Sequence, residues 1–161
     1  MDAKFIPHTL LKACIGQKTG YYDINLIDFD LNFNLIEVPY MSVTQLDAIL
    51  DLNTLEQYIS AIGAGTLLKS VVLFEQLMPE YVGSLVKAHD AGDKETLCSE
   101  AHKFKGAAGS VGLKRIQQFA QLLQHGEEAK WDAEHGVWLA GIVEHAERDL
   151  QQLKLFLEAK A

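Results

Sequence analysis

The sequence predicts an all-α protein: an antiparallel up-down four-helix bundle preceded by short additional helices and a leader. Two observations carry this. Apolar residues recur at alternating steps of four and three over long stretches, which places them on one face of a 3.6-residue helix. Between those stretches stand Gly63 and Gly65, the run Asp90, Ala91, Gly92 and Asp93, then Gly112 and Gly126, residues that stop helices and reverse the chain.

Residues 1–41 form a leader and residues 42–161 the bundle domain. In the leader, Phe29, Leu31, Phe33 and Leu35 alternate with Asp28, Asp30, Asn32 and Asn34, the period of a half-buried strand. A small hairpin, a mobile segment and a strand that pairs with a partner all fit that pattern, and a hairpin alone is marginal. Pro39 closes the segment. Ser42 or Thr44 caps a short helix through Leu50, and Asn53 or Thr54 starts a second that stops at Gly63 and Gly65.

The first long helix carries Leu67, Val71, Phe74, Met78, Tyr81 and Leu85 inward to about His89. Pro79 should kink it rather than end it, because the apolar stripe keeps its phase across the proline. Asp93 is placed to cap the next helix, whose core stripe is Leu97, Ala101, Phe104, Ala108 and Val111. After Gly112, Leu113 to His125 reads as an antiparallel helix with Ile116, Phe119 and Leu123 inward. The last helix begins near Lys130 and Trp131, with Leu139, Ile142, Ala146, Leu150, Leu153 and Leu157 as its seam.

With 161 residues and 48% hydrophobic composition, the chain can bury a real core. A net charge of −8 argues against nucleic acid as a partner, since phosphate backbones need clustered Lys and Arg. No apolar run approaches the ~20 residues of a membrane span. Two cysteines, Cys14 and Cys98, are no disulfide framework and fit a reducing compartment. A monomeric cytoplasmic protein without membrane attachment is expected.

The segment Ser99 to Leu113 breaks a local rule. Gly106, Gly109 and Gly112 lie in or at the end of a helical stretch where each costs ~1 kcal/mol relative to Ala. Such sites are candidates for function. Cys98, His102, Lys105 and Gly109 form a second stripe about a third of a turn from the core stripe, so His102 reaches solvent. Gly106, one turn on, clears the surface beside the imidazole for another protein's backbone. Lys105 lays an ammonium near the same ring. A neutral imidazole is a nucleophile, and a nearby cation stabilises a phosphoryl group attached to it. The residues thus point to a phosphorylatable histidine. His102 and Gln124 come level in a hairpin turning at Gly112, so a side-chain amide there can hold the second ring nitrogen; Gln121, one turn earlier, is the rival.

The string HKFKGAAGSVG resembles the signature of histidine-containing phosphotransfer (HPt) domains: His, two residues, Lys-Gly, two small residues, then an apolar residue and Gly. Extended to HKFKGAAGSVGLKRIQQ, it is similar to HPt domains of hybrid sensor kinases in anoxic redox control, over about Asp51 to Ala161. The resemblance implies His102 as phosphoacceptor, Lys105 as the balancing charge and Gln124 as the residue that orients the ring. It also implies a receiver domain of a hybrid sensor histidine kinase and a response regulator as partners, with the divalent metal on the receiver and no cofactor here. Gly106, Gly109 and Lys103 are candidate partner contacts; Lys103, on a different face from Lys105, is a solvated charge rather than a second phosphate contact.

The expected function is a phosphorelay intermediate, free-standing because the chain holds only the bundle and a leader. It is a phosphocarrier and not an autonomous kinase, since no glycine-rich nucleotide loop is present. A helical docking module that transfers no phosphate is the alternative. Cys98, His102 and Glu95 have the spacing of a metal pair plus a third group, but no paired ligand motif supports a site. His8, His89, His125, His135 and His145 lack comparable surroundings, and Trp131 and Trp138 read as packing aromatics.

Overall fold

The computed structural model describes residues 42–161; the leader, with its alternating stretch at 28–35 and Cys14, lies outside them. The described chain begins with a capping box. Ser42 Oγ accepts from the Gln45 amide and Gln45 Oε1 accepts from the Ser42 amide, which starts α1 (Val43–Ile49). Of the two expected caps, Ser42 is the one used. Asp51, rather than Asn53 or Thr54, caps α2 (Leu52–Ile62), bonding both the amide and the hydroxyl of Thr54. A carboxylate one residue before the helix outcompetes the later candidates because it meets two donors at once. Those bonds, the Thr54 amide first, hold the Asp51 carboxyl below its ordinary pKa.

Only Gly63 interrupts the chain there. Its φ of +82° turns α2 into α3 (Ala64–Asp90), bent by 119°, while Gly65 sits inside the first turn of α3. The helix runs through Pro79, and Leu67, Val71, Phe74, Met78 and Leu85 are buried as the spacing predicts. Tyr81 is half-buried and stacks on Phe104, 5.5 Å between ring centroids.

Asp93 caps α4 (Lys94–Ser110) through the Thr96 hydroxyl and amide. These bonds keep its carboxyl below the usual range. Leu97, Ala101, Phe104, Ala108 and Val111 are all buried. Gly112, at φ +83°, supplies the left-handed turn into α5 (Lys114–Gln124). A side chain there would also strike Leu55, 2.8 Å from an added Cβ. On α5, Ile116 and Leu123 point inward as expected, joined by Ala120; Phe119 is half-buried, its ring lying over Gly141.

The last helix, α6 (Trp131–Glu158), buries the whole predicted seam from Leu139 to Leu157. Each of α3, α4, α5 and α6 packs on the next, and α6 closes back on α3. This is the up-down bundle. Helices α1 and α2 cover one end of it: α1 packs on α5, α2 on α3, and the Asp51 amide donates to Gly112 O at 2.9 Å. Six helices and no strand occur among the described residues, none of them singly long and apolar enough to cross a membrane.

One ion pair in the bundle is not predicted by the stripe reading. Asp149 is fully buried on α6, and Arg115 of α5 donates to both of its carboxylate oxygens, through Nε at 2.9 Å and through a terminal nitrogen. The buried charge is matched by a fork of two parallel bonds.

Candidate functional site

The face of α4 toward α5 carries the functional stripe because the core stripe fixes its rotation. With Ala101 and Phe104 buried, His102 is exposed and Lys105 half-buried. His102 Nδ1 lies 3.0 Å from Gln124 Oε1. An amide oxygen only accepts, so Nδ1 carries the proton and donates. Nε2 is then the nitrogen with the free lone pair, and it makes no hydrogen bond among the described residues.

Of the two glutamines that fit the hairpin register, Gln124 and not Gln121 meets His102. Gln121 instead reaches His125 Nε2 at 2.6 Å. Gln124 Nε2 also faces His125 Nε2, at 2.8 Å, and His125 Nδ1 donates to Glu127 Oε1 at 3.0 Å. His102 is therefore one end of a chain running through Gln124 and His125 to Glu127. His125 was missed in the sequence; its place directly after Gln124 and two residues before an acidic side chain is the signal that could have found it. The Glu127 carboxyl is held below its ordinary pKa by its own backbone amide and then by His125.

The three glycines of the motif separate. A Cβ at Gly106 would meet nothing within 4 Å, so neither packing nor backbone geometry asks for glycine there. A Cβ at Gly109 would come 2.5 Å from the Gln117 side-chain nitrogen, a flexible neighbour that would have to swing aside. Gly112 is fixed by its positive φ and by Leu55. Of these three glycines, Gly106 is the one that borders open surface next to the exposed histidine.

Lys105, three residues after His102, makes no ion pair or side-chain hydrogen bond among the described residues, so its ammonium has no protein partner there. Lys103 points to the other side of α4 and pairs with Glu100 at 2.6 Å. Cys98 is half-buried, its sulfur packed near Gly126. No group of three or more His, Cys, Asp or Glu side chains is arranged as a metal site among the described residues. Trp131 is buried, donates from Nε1 to Leu123 O at 2.8 Å at the end of α5, and receives the Lys94 ammonium over its ring at 4.4 Å.

The family model described as the Hpt domain matches residues 69–159. The aerobic respiration control sensor proteins ArcB of Escherichia coli and Shigella flexneri are each 38% identical over 115 residues, 71% of this chain. The chain spans only 15% of the length of those relatives. Among solved structures, the histidine-containing phosphotransfer domain of ArcB from Escherichia coli superimposes with a TM-score of 0.69 at 36% identity, covering 71% of this chain and 98% of that one. A solution structure of the same domain gives 0.64 at 37% identity, covering 70% and 90%.

Proposed function

Because the chain belongs to the Hpt domain family, we propose that it is a phosphorelay intermediate whose His102 accepts a phosphoryl group from a receiver-domain aspartate and passes it to a response regulator. The observation that carries this reading is the state of the His102 ring: Nδ1 donates to Gln124 while Nε2 stands free on an exposed face beside Gly106.

In the transfer, the Nε2 lone pair attacks the phosphorus of the aspartyl phosphate. The N–P bond forms, the P–O bond to the aspartate breaks, and the aspartate leaves as a carboxylate. No proton has to leave Nε2, since that nitrogen begins unprotonated. The positive charge that the ring acquires is shared with the Nδ1–H bond to Gln124, and the Lys105 ammonium faces the phosphoryl oxygens. The remaining work is alignment: a rigid helix face with no side chain at position 106 lets the receiver's active site come down over the ring.

The sequence carries no glycine-rich nucleotide loop, and in this reading the transfer asks for no cofactor from this chain; a divalent cation would be held by the receiver and would polarise the phosphoryl group there. The partners are therefore the receiver domain of a hybrid sensor histidine kinase and a response regulator, met in the cytoplasm, with this domain acting as a phosphocarrier rather than a kinase. The net charge of −8 supports protein rather than nucleic-acid partners. The test is transfer from a receiver domain charged with labelled phosphate, with wild type beside His102→Gln. Label on wild type alone supports the relay. Equal binding of the receiver by both proteins, with label on neither, replaces it with the docking module.

A further inference from the structure

His125 is a histidine that the phosphotransfer chemistry does not itself use, yet both of its ring nitrogens are engaged. Its Nδ1 faces the Glu127 carboxylate at 3.0 Å, and its Nε2 faces two amide groups, Gln124 at 2.8 Å and Gln121 at 2.6 Å. Gln124 is shared, since its other amide atom, Oε1, accepts from His102 at 3.0 Å. We propose that His125 is a positioning residue for phosphotransfer: anchored by Glu127, it fixes the direction of the Gln124 amide and thereby the tautomer that leaves His102 Nε2 free to take phosphate. The inference rests on the relay reading above and adds to it the groups that hold the reactive ring in its competent form.

The argument is an accounting of donors and acceptors along the chain. An imidazole pair bridged by an amide can run in two directions, because each ring can carry its proton on either nitrogen and the amide can turn over. Only one member of the chain has no such freedom. The Glu127 carboxylate can only accept, so the neutral His125 ring facing it carries its proton on Nδ1. Its Nε2 is then a bare lone pair, which accepts from an amide N–H and repels an amide oxygen. Gln124 must therefore turn its NH2 toward His125 and its oxygen toward His102. That oxygen in turn requires the proton of His102 on Nδ1 and leaves the lone pair on Nε2.

Gln121 points the same way. Its amide nitrogen also faces His125 Nε2, the orientation that suits the bare lone pair Glu127 imposes there. Were the direction reversed, His125 would carry its proton on Nε2 and donate to the Gln124 oxygen. The Gln124 NH2 would face His102 Nδ1, and His102 would hold its proton on the very nitrogen that must attack. That form has no lone pair at Nε2 and cannot form the N–P bond. The fraction of molecules competent to accept phosphate thus follows the direction of the chain.

The experiment reads the tautomer directly, apart from activity. Nitrogen-15 shifts of the His102 ring, recorded at about pH 8 where imidazoles are neutral, identify which nitrogen carries the proton. Wild type is expected to hold the Nδ1–H form. His125→Ala removes the acceptor and should move His102 toward a mixture of both forms. His125→Glu supplies an acceptor-only group of similar reach and should restore Nδ1–H. Glu127→Gln, at an exposed position, should loosen the preference to an intermediate degree without threatening the fold. In a receiver assay, the rate of phosphate uptake by each variant should fall in proportion to the lost Nδ1–H fraction.

An unchanged His102 tautomer in His125→Ala overturns the inference, and so does an equal shift in the Ala and Glu variants, which would mark a packing effect. Failure of the wild-type protein to take phosphate at all would overturn the relay reading instead, and the tautomer series would still decide whether His125 sets the ring.

Discussion

Two of the polar networks that join neighbouring helices of this bundle differ in what they leave over. Between α5 and α6, the Asp149 carboxylate is fully buried and both its oxygens are taken by Arg115. Between α4 and the end of α5, the chain from Glu127 through His125 and Gln124 to His102 lies near the surface and stops one bond short, with His102 Nε2 unused. A buried pair with every strong bond made can only hold helices together. An exposed chain with a fixed direction and an unspent lone pair at its end can do chemistry, and its cost to stability is small because water serves the exposed groups.

That contrast predicts which substitutions harm the fold and which harm only the transfer. The largest stability loss among these is expected for Phe104→Ala, about 3–5 kcal/mol in a denaturant melt, because its ring is fully buried and stacks with both Phe74 and Tyr81. Asp149→Ala comes next. Breaking a buried pair costs at least ~3 kcal/mol when the remaining charge has no solvent, but Arg115 keeps 28% of its side-chain exposure and regains hydration. The expected loss therefore sits at or below that figure, with transfer by the folded protein unchanged.

At Gly112→Ala, the left-handed backbone and the Leu55 contact together should cost about 1–3 kcal/mol. Gly106→Ala should do the reverse, raising stability by up to ~1 kcal/mol, since its site is open helix surface and alanine is the better helix former. A bulky Gly106→Phe should keep the melting temperature near wild type and slow phosphate uptake from a receiver. Equal uptake by that variant would mean the surface beside His102 is not approached.

The smallest effect is electrostatic. The Asp93 carboxyl, held by the Thr96 hydroxyl and amide, has its folded pKa below the unfolded value, so the unfolded chain binds the extra proton in acid. Its contribution is present above the unfolded pKa and fades as pH falls through the folded one. Melting curves of wild type and Asp93→Asn, taken from about pH 5 to about pH 2, should show the gap between them narrowing as acid is added.

Much of the frame was legible because periodicity is local. The stripe from Leu97 to Val111 fixes the rotation of α4, and that rotation alone sends His102 to solvent. One cap was less legible: where Ser42 and Asp93 cap as expected, Asp51 takes the place of Asn53 and Thr54 because the number of donors in reach depends on the turn actually formed. The hairpin register left Gln121 and Gln124 open, since a one-turn difference in level depends on how tightly α4 and α5 turn at Gly112. Asp149 hid in plain view, lying on the same face as Ile142, Ala146 and Leu153, where a carboxylate implies a partner on a neighbouring helix. His125 was passed over because its partners are set by the Gln124 amide, a side-chain direction that no spacing reveals.

The most direct test of the account is to phosphorylate the protein from a charged receiver and locate the phosphorus on the histidine ring by its coupling to ring nitrogen-15. Phosphorus on Nε2 of His102, with the proton retained on Nδ1, is the predicted result. Phosphorus on Nδ1 of His102, or on another residue, would contradict it.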